Sequence, residues 1–172
     1  PRLVGSEMCI RDSLNVAKKY SFETIKSDDI VSNLYNDQSV VHEIEKHLDI
    51  ERNQDNLEST VKKLFFTSKK NREIIEAIFH PVVHKMITNS LDISENLMVE
   101  LPPIINNYEL FQKYKSIYIH ATKEVRIGRF NKRNNDGICF DKINAIQSDF
   151  ELIKEACDLV IFNEDDADTL NK

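Results

Sequence analysis

Glycine is scarce in this chain: of 172 residues only Gly5, Gly128 and Gly137 are glycine. A G-x-x-x-x-G-K-[ST] loop, whose backbone amides and lysine cradle nucleotide phosphates, needs two glycines at fixed spacing with lysine after the second, and no pair here meets that requirement. Cysteine is also sparse. Cys9, Cys139 and Cys157 are odd in number, far apart and without a C-x-x-C pair, which excludes a disulfide framework and gives no zinc signature. No apolar run approaches the roughly eighteen residues of a spanning helix, and no basic-then-apolar leader opens the chain. A soluble chain of the reducing cytoplasm, with no membrane partner, is expected. A basic surplus is missing as well: the net charge is -6, and a nucleic-acid partner is not expected.

The 41% hydrophobic content suffices for one substantial core. The opening PRLVGSEMCIRDS begins without Met and joins no helical or alternating period that follows. It looks like translated sequencing-adapter read-through, so residues 1–13 are expected to be non-native and are set aside from fold reasoning, at the place where a phosphate loop would stand.

Beyond it the pattern alternates. Leu14 to Tyr20 has helix formers, Phe22 to Ile25 is β-prone, and Ser27-Asp28-Asp29 opens a helix through Leu34. Asp28 has two readings: an N-terminal carboxylate satisfying the helix dipole, or a functional carboxylate at the carboxyl end of a strand, where open α/β sheets bind ligands. Val40 to Leu48 and Leu57 to Phe66 carry apolar residues at helical spacing. Arg72 to Ile87 is a helix that Pro81 should kink or restart. His80 and His84 fall on one side of it, but no third ligand at a recognisable spacing follows, so they read as an ordinary helix face rather than a metal site. Leu97 to Glu100 and Ser116 to His120 are strands. The helix after the second carries Arg126, Arg129 and Arg133 three and four residues apart, either a solvated row of guanidiniums or an anion site. Phe140 to Cys157 reads as one helix, and Leu159 to Phe162 as a last strand before an acidic tail.

Five segments in this order resemble the dephospho-coenzyme A kinase family: IKSDDIVSNL from Ile25, the Phe66 to Met86 helix with His80-Pro81, VELPPIIN from Val99, the Ile117 to Asn134 strand and Arg-bearing helix, and Asn144 to Asn163 with Gln147, Asp158 and Asn163. The resemblance covers about Ser13 to Asn163. It implies an α/β, three-layer P-loop kinase-like fold with a parallel sheet and a helical lid, whose first strand and phosphate loop are missing. Residues 14–172 would form a single domain with a helical acceptor-side excursion at about 36–90 and a lid at about 126–155.

The activity the resemblance implies is transfer of the ATP γ-phosphoryl group to the ribose 3′-hydroxyl of dephospho-coenzyme A, with ATP and Mg²⁺ as cofactors and the chain itself an inactive fragment. Its implied catalytic residues are Asp28, Arg129 and Arg133. Asp28, His80, Pro81, Glu100 and Pro102 would bind the acceptor, and Arg133, Gln147 and Asn163 the nucleotide; no residue is assigned to a metal. Asp28, His80 and Glu100 should converge on one cleft. Lys26, Glu58, His84, Ile105, Asn106 and Ile143 depart from the family pattern, and each lost guanidinium removes a bidentate phosphate partner. Another small-molecule kinase of the same fold and a non-catalytic relative are the alternatives.

Overall fold

The computed structural model describes residues 2–5, 7–50, 56–101, 110, 113–133, 140–146 and 150–164. They form five strands and eight helices in the order β1 (Arg2–Gly5), α1 (Glu7–Lys19), β2 (Glu23–Lys26), α2 (Ser27–Leu34), α3 (Gln38–Leu48), α4 (Leu57–Thr67), α5 (Lys69–Ile93), β3 (Leu97–Leu101), β4 (Ser116–His120), α6 (Lys123–Arg133), α7 (Phe140–Ile146), α8 (Phe150–Ala156) and β5 (Leu159–Phe162). The chain divides into two compact units, a sheet unit of residues 1–26 and 91–172 and a helical unit of residues 27–90.

The sheet is wholly parallel, with strand order β2-β3-β1-β4-β5. Its centre corrects the sequence reading. The resemblance implied a missing first strand, so that β3 and β4 would be neighbours in a sheet left open. Instead β1 lies between them, with Leu3 registered against Glu100 on one side and Ile117 on the other. The difference has a physical cause: a four-residue strand paired on both edges in a parallel sheet needs no alternation, so period carries no signal over Arg2–Gly5.

Every residue of β3 is buried, as expected of an inner parallel strand covered on both faces. On one face Met98 of β3 and Ile119 of β4 pack with Leu14 and Ala17 of α1, and Phe22, Ile117, Val125 and Ile161 close around them. The end of α1 sets up this packing. Ser21 takes a left-handed conformation with φ 64°, its amide donates to the Lys18 carbonyl at 3.1 Å, and the Phe22 amide donates to the Ala17 carbonyl at 3.1 Å. That is a Schellman closure, which turns the chain into β2 and delivers Phe22 to the core.

Within the helical unit, α2 buries Ile30 and Leu34, α3 Val40 and Ile44, α4 Val61, and α5 Ile75, Phe79 and Ile87. Asp37 caps α3 by accepting the Ser39 amide at 2.8 Å, and Asn56 caps α4 by accepting the Ser59 amide at 3.0 Å. α5 runs from Lys69 to Ile93 with Pro81 inside it, so the helix does not restart there, and α7 and α8 fall within the helix expected over Phe140 to Cys157, residues 147–149 lying outside the described residues. Proline removes one donor and crowds the carbonyl one turn earlier, a local cost that a long helix with buried residues on both sides can offset.

Candidate nucleotide-kinase site

β4 and β5 run side by side, His120 registered against Phe162, and the chain leaves both at the same edge of the sheet. After β4 comes Thr122, which opens α6: its carbonyl accepts from the Arg126 amide at 3.0 Å and its hydroxyl from the Val125 amide at 3.5 Å. Threonine is suited to this place because its side-chain oxygen serves an amide that the helix itself cannot. The Thr122 amide donates to both carboxylate oxygens of Glu164 at 3.2 Å, which sets a negative charge at the positive end of α6.

After β5 comes Asn163, with no exposed surface. Its amide donates to the His120 carbonyl at 2.8 Å, carrying the β4–β5 ladder one residue further. Its side-chain Oδ1 accepts from Arg129 Nη2 at 3.0 Å. The imidazole of His120 lies 5.2 Å from the Phe162 ring, edge to face, with its Nε2 4.0 Å from Glu164. A half-buried guanidinium is therefore held at the carboxyl ends of two adjacent parallel strands, the edge at which open α/β sheets bind ligands. A cation so held suits a phosphate group, whose planar pairs of oxygens match the guanidinium fork.

Of the expected site residues, the structure brings Arg129 and Asn163 together. Arg126 and Arg129 each have an amide oxygen of their own. Arg126 turns to α7, donating from Nη1 to Asn144 Oδ1 at 2.8 Å and lying 5.7 Å from the centre of the Phe140 ring, which in turn meets Phe130 edge to face. Arg133 ends α6. Glu100 is buried in β3, registered against Lys26 of β2 and Leu3 of β1. Asp28 and His80 belong to the helical unit and Glu100 to the sheet unit. Asp28 stands exposed in the first turn of α2, two residues past the end of β2. His80 is half-buried on α5, and loss of solvent pulls its pKa below the usual imidazole value against the opposing pull of Glu76, so the ring stays neutral at physiological pH. Pro81 follows it, exposed. Pro102 and Gln147 lie outside the described residues.

Three participants escaped the sequence reading: Asn144, Glu164 and the true role of Asp158. Asp158 works at the opposite edge of the sheet, where Oδ2 accepts the Ser116 amide at 2.8 Å and the Ser116 hydroxyl at 3.1 Å, and Oδ1 accepts from Lys115 at 2.9 Å. It stitches the start of β4 to the start of β5. In the helical unit Tyr35 packs on Phe79 at 5.4 Å, and burial, with Glu58 nearby, pushes its phenol up to about 12. Among the described residues no cluster of three or more His, Cys, Asp or Glu offers a metal site, and no helix is long and apolar enough to cross a membrane.

The dephospho-CoA kinase family profile matches residues 14–168. Dephospho-CoA kinases of two Legionella pneumophila strains, Lens and Philadelphia 1, are 28% identical over 60% of this chain and 53% of their own length, so the chain spans about half the length of the curated relatives it matches. Among solved structures, a Thermus thermophilus protein aligns with TM-score 0.72 at 15% identity, covering 99% of this chain and 91% of that one. A dephospho-CoA kinase from Campylobacter jejuni aligns with TM-score 0.65 at 19% identity, covering 98% and 90%. A shikimate kinase from Acinetobacter baumannii, solved with shikimate, aligns with TM-score 0.60 at 17% identity, covering 99% and 87%. The fold is α/β and P-loop kinase-like, with a parallel sheet, as in these structures. With nine-tenths of its residues inside the family profile, this chain belongs to the dephospho-CoA kinase family.

Proposed function

We propose that the chain's chemistry is phosphoryl transfer from ATP to the ribose 3′-hydroxyl of dephospho-coenzyme A. The observation that carries this reading is the Arg129 guanidinium held on Asn163 at the strand ends, in a chain of this family. Phosphoryl transfer asks of a protein mostly positioning and neutralisation of charge. In this reading Arg129 and Arg133 neutralise the transferring group, and Asp28 orients the acceptor hydroxyl and accepts its proton. The neutral ring of His80 with Pro81, and Glu100 with Pro102, line the acceptor side; Gln147 and Asn163 lie on the nucleotide side. A family profile for a kinase implies ATP, and Mg²⁺ is the ion such transfers use.

The residues fit these partners unevenly. Arg129, held on Asn163, suits a nucleotide phosphate. A triphosphate is suited less well, because the sequence holds no G-x-x-x-x-G-K-[ST] pattern to cradle it.

The experiment has two arms. The 172-residue chain, assayed with ATP and dephospho-coenzyme A, is expected to form no product above a no-protein control. Replacing Pro1 to Arg11 with a strand and G-x-x-x-x-G-K-S loop is expected to recover ATP binding first and weak turnover second, with Arg133→Ala then costing about 10³-fold in rate. A grafted chain that binds neither ATP nor dephospho-coenzyme A sinks the reading. Binding without turnover would favour the second reading, a non-catalytic relative, which the substitutions at Glu58, His84 and Ile143 support.

A further inference from the structure

An amide side chain with no exposed surface, placed one residue past the end of a strand, is held there by its partners. Asn163 has partners on two elements: through its backbone it donates to His120 at the end of β4, and through Oδ1 it accepts from Arg129 in the second turn of α6. Its neighbour Glu164 adds a third tie, to the amide of Thr122. Two consecutive residues at the exit of β5 thus fasten the start of α6 and one of its guanidiniums to the carboxyl edge of the sheet. Each such tie removes rotamer freedom from the arginine in advance, which a ligand then need not remove on arrival.

We propose that Asn163 is a positioning residue, which holds the Arg129 guanidinium at the strand ends before any ligand binds and does not itself contact the nucleotide. This revises the expectation that Asn163 belongs to the nucleotide-binding surface. What Arg129 then neutralises rests on the phosphoryl-transfer reading; that Asn163 orders it does not. The structure also supplies a control on the same helix. Arg126, one turn earlier, is held by Asn144 and Phe140, which makes it an internal reference on the same helix.

The test is ¹⁵N relaxation of the arginine Nε–H signals in the full 172-residue chain, which reads the order of each guanidinium without any activity. The order parameter of Arg129 is expected to be high in the parent chain and to fall below roughly 0.6 in Asn163→Ala, with Arg126 unchanged. Asn163→Asp keeps an acceptor and makes the bond charge-assisted, so it is expected to restore the order. An Arg129 signal as rigid in Asn163→Ala as in the parent overturns the proposal. Should Asn163→Ala not fold, Arg129→Ala decides: the side-chain amide resonances of Asn163 should shift, and resonances that stay in place overturn the pairing. The loop-graft assay judges the kinase reading by turnover, so the two ideas stand or fall separately.

Discussion

At Asp158 one exposed carboxylate does structural work for two strands. Its hydrogen bond with Lys115, then that with the Ser116 amide, pull its pKa down from 3.8 to about 2. The Lys115 side chain is 81% exposed and screened by solvent, so it moves the titration more than it moves stability. The buried Ser116 amide is the partner that matters to the fold, because without Asp158 it loses the acceptor given by this side chain. The folded pKa lies below the unfolded one, so this stabilisation is complete above about pH 4 and is lost as pH falls toward 2. Asp158→Ala is expected to lower Tm at neutral pH, and Asp158→Asn to keep most of it by retaining an oxygen for the amide. Both should flatten the acid limb of a Tm-against-pH curve between pH 4 and 2. An alanine variant with the parent's Tm and acid limb would show that the stitch is idle.

Among the elements, α5 continues through Pro81, whose missing donor leaves the carbonyl one turn earlier without its helical partner. Pro81→Ala is expected to raise stability, by up to about 3 kcal/mol, in urea or thermal unfolding. A loss of stability would mean that the ring packs to better effect than the lost bond costs. Helix α5 also shows how far the sequence could be read. Ile74, Ile75, Ile78, Phe79, Val82, Val83 and Met86 have helical spacing whatever the proline does, so the existence of the helix was legible and its continuity was not, since propensity penalises proline locally while burial acts along the whole length. The strands β2, β3, β4 and β5 were legible from short β-branched runs, and α6 from its arginines. The contact between Arg129 and Asn163 spans 34 residues, and Thr122 and Glu164 are 42 apart; no local period encodes such pairs. The resemblance named Arg129 and Asn163 singly, and only the fold shows that they meet.

At the scale of the molecule, the sheet unit depends on its shortest and least legible strand. β1 alone joins the β2–β3 pair to the β4–β5 pair, and every registered partner of its residues lies more than ninety positions away in sequence. Val4→Pro removes a backbone donor in the middle of the sheet without touching any expected site residue. It is expected to abolish the cooperative near-ultraviolet melting transition, whereas residues 1–13 as a dispensable appendage would make it silent. The same connectivity has a consequence during synthesis. β1 leaves the ribosome 95 residues before β3 begins, from Arg2 to Leu97, which at translation speeds of about 5–20 residues per second is a wait of roughly 5–20 s. Through that interval both edges of β1 lack their eventual neighbours, and β4 follows later still. The nascent chain must therefore carry an unpaired central strand past the completion of the whole helical unit, which makes β1 the point at which a trailing chaperone, or a neighbouring nascent chain, has the longest opportunity to intervene.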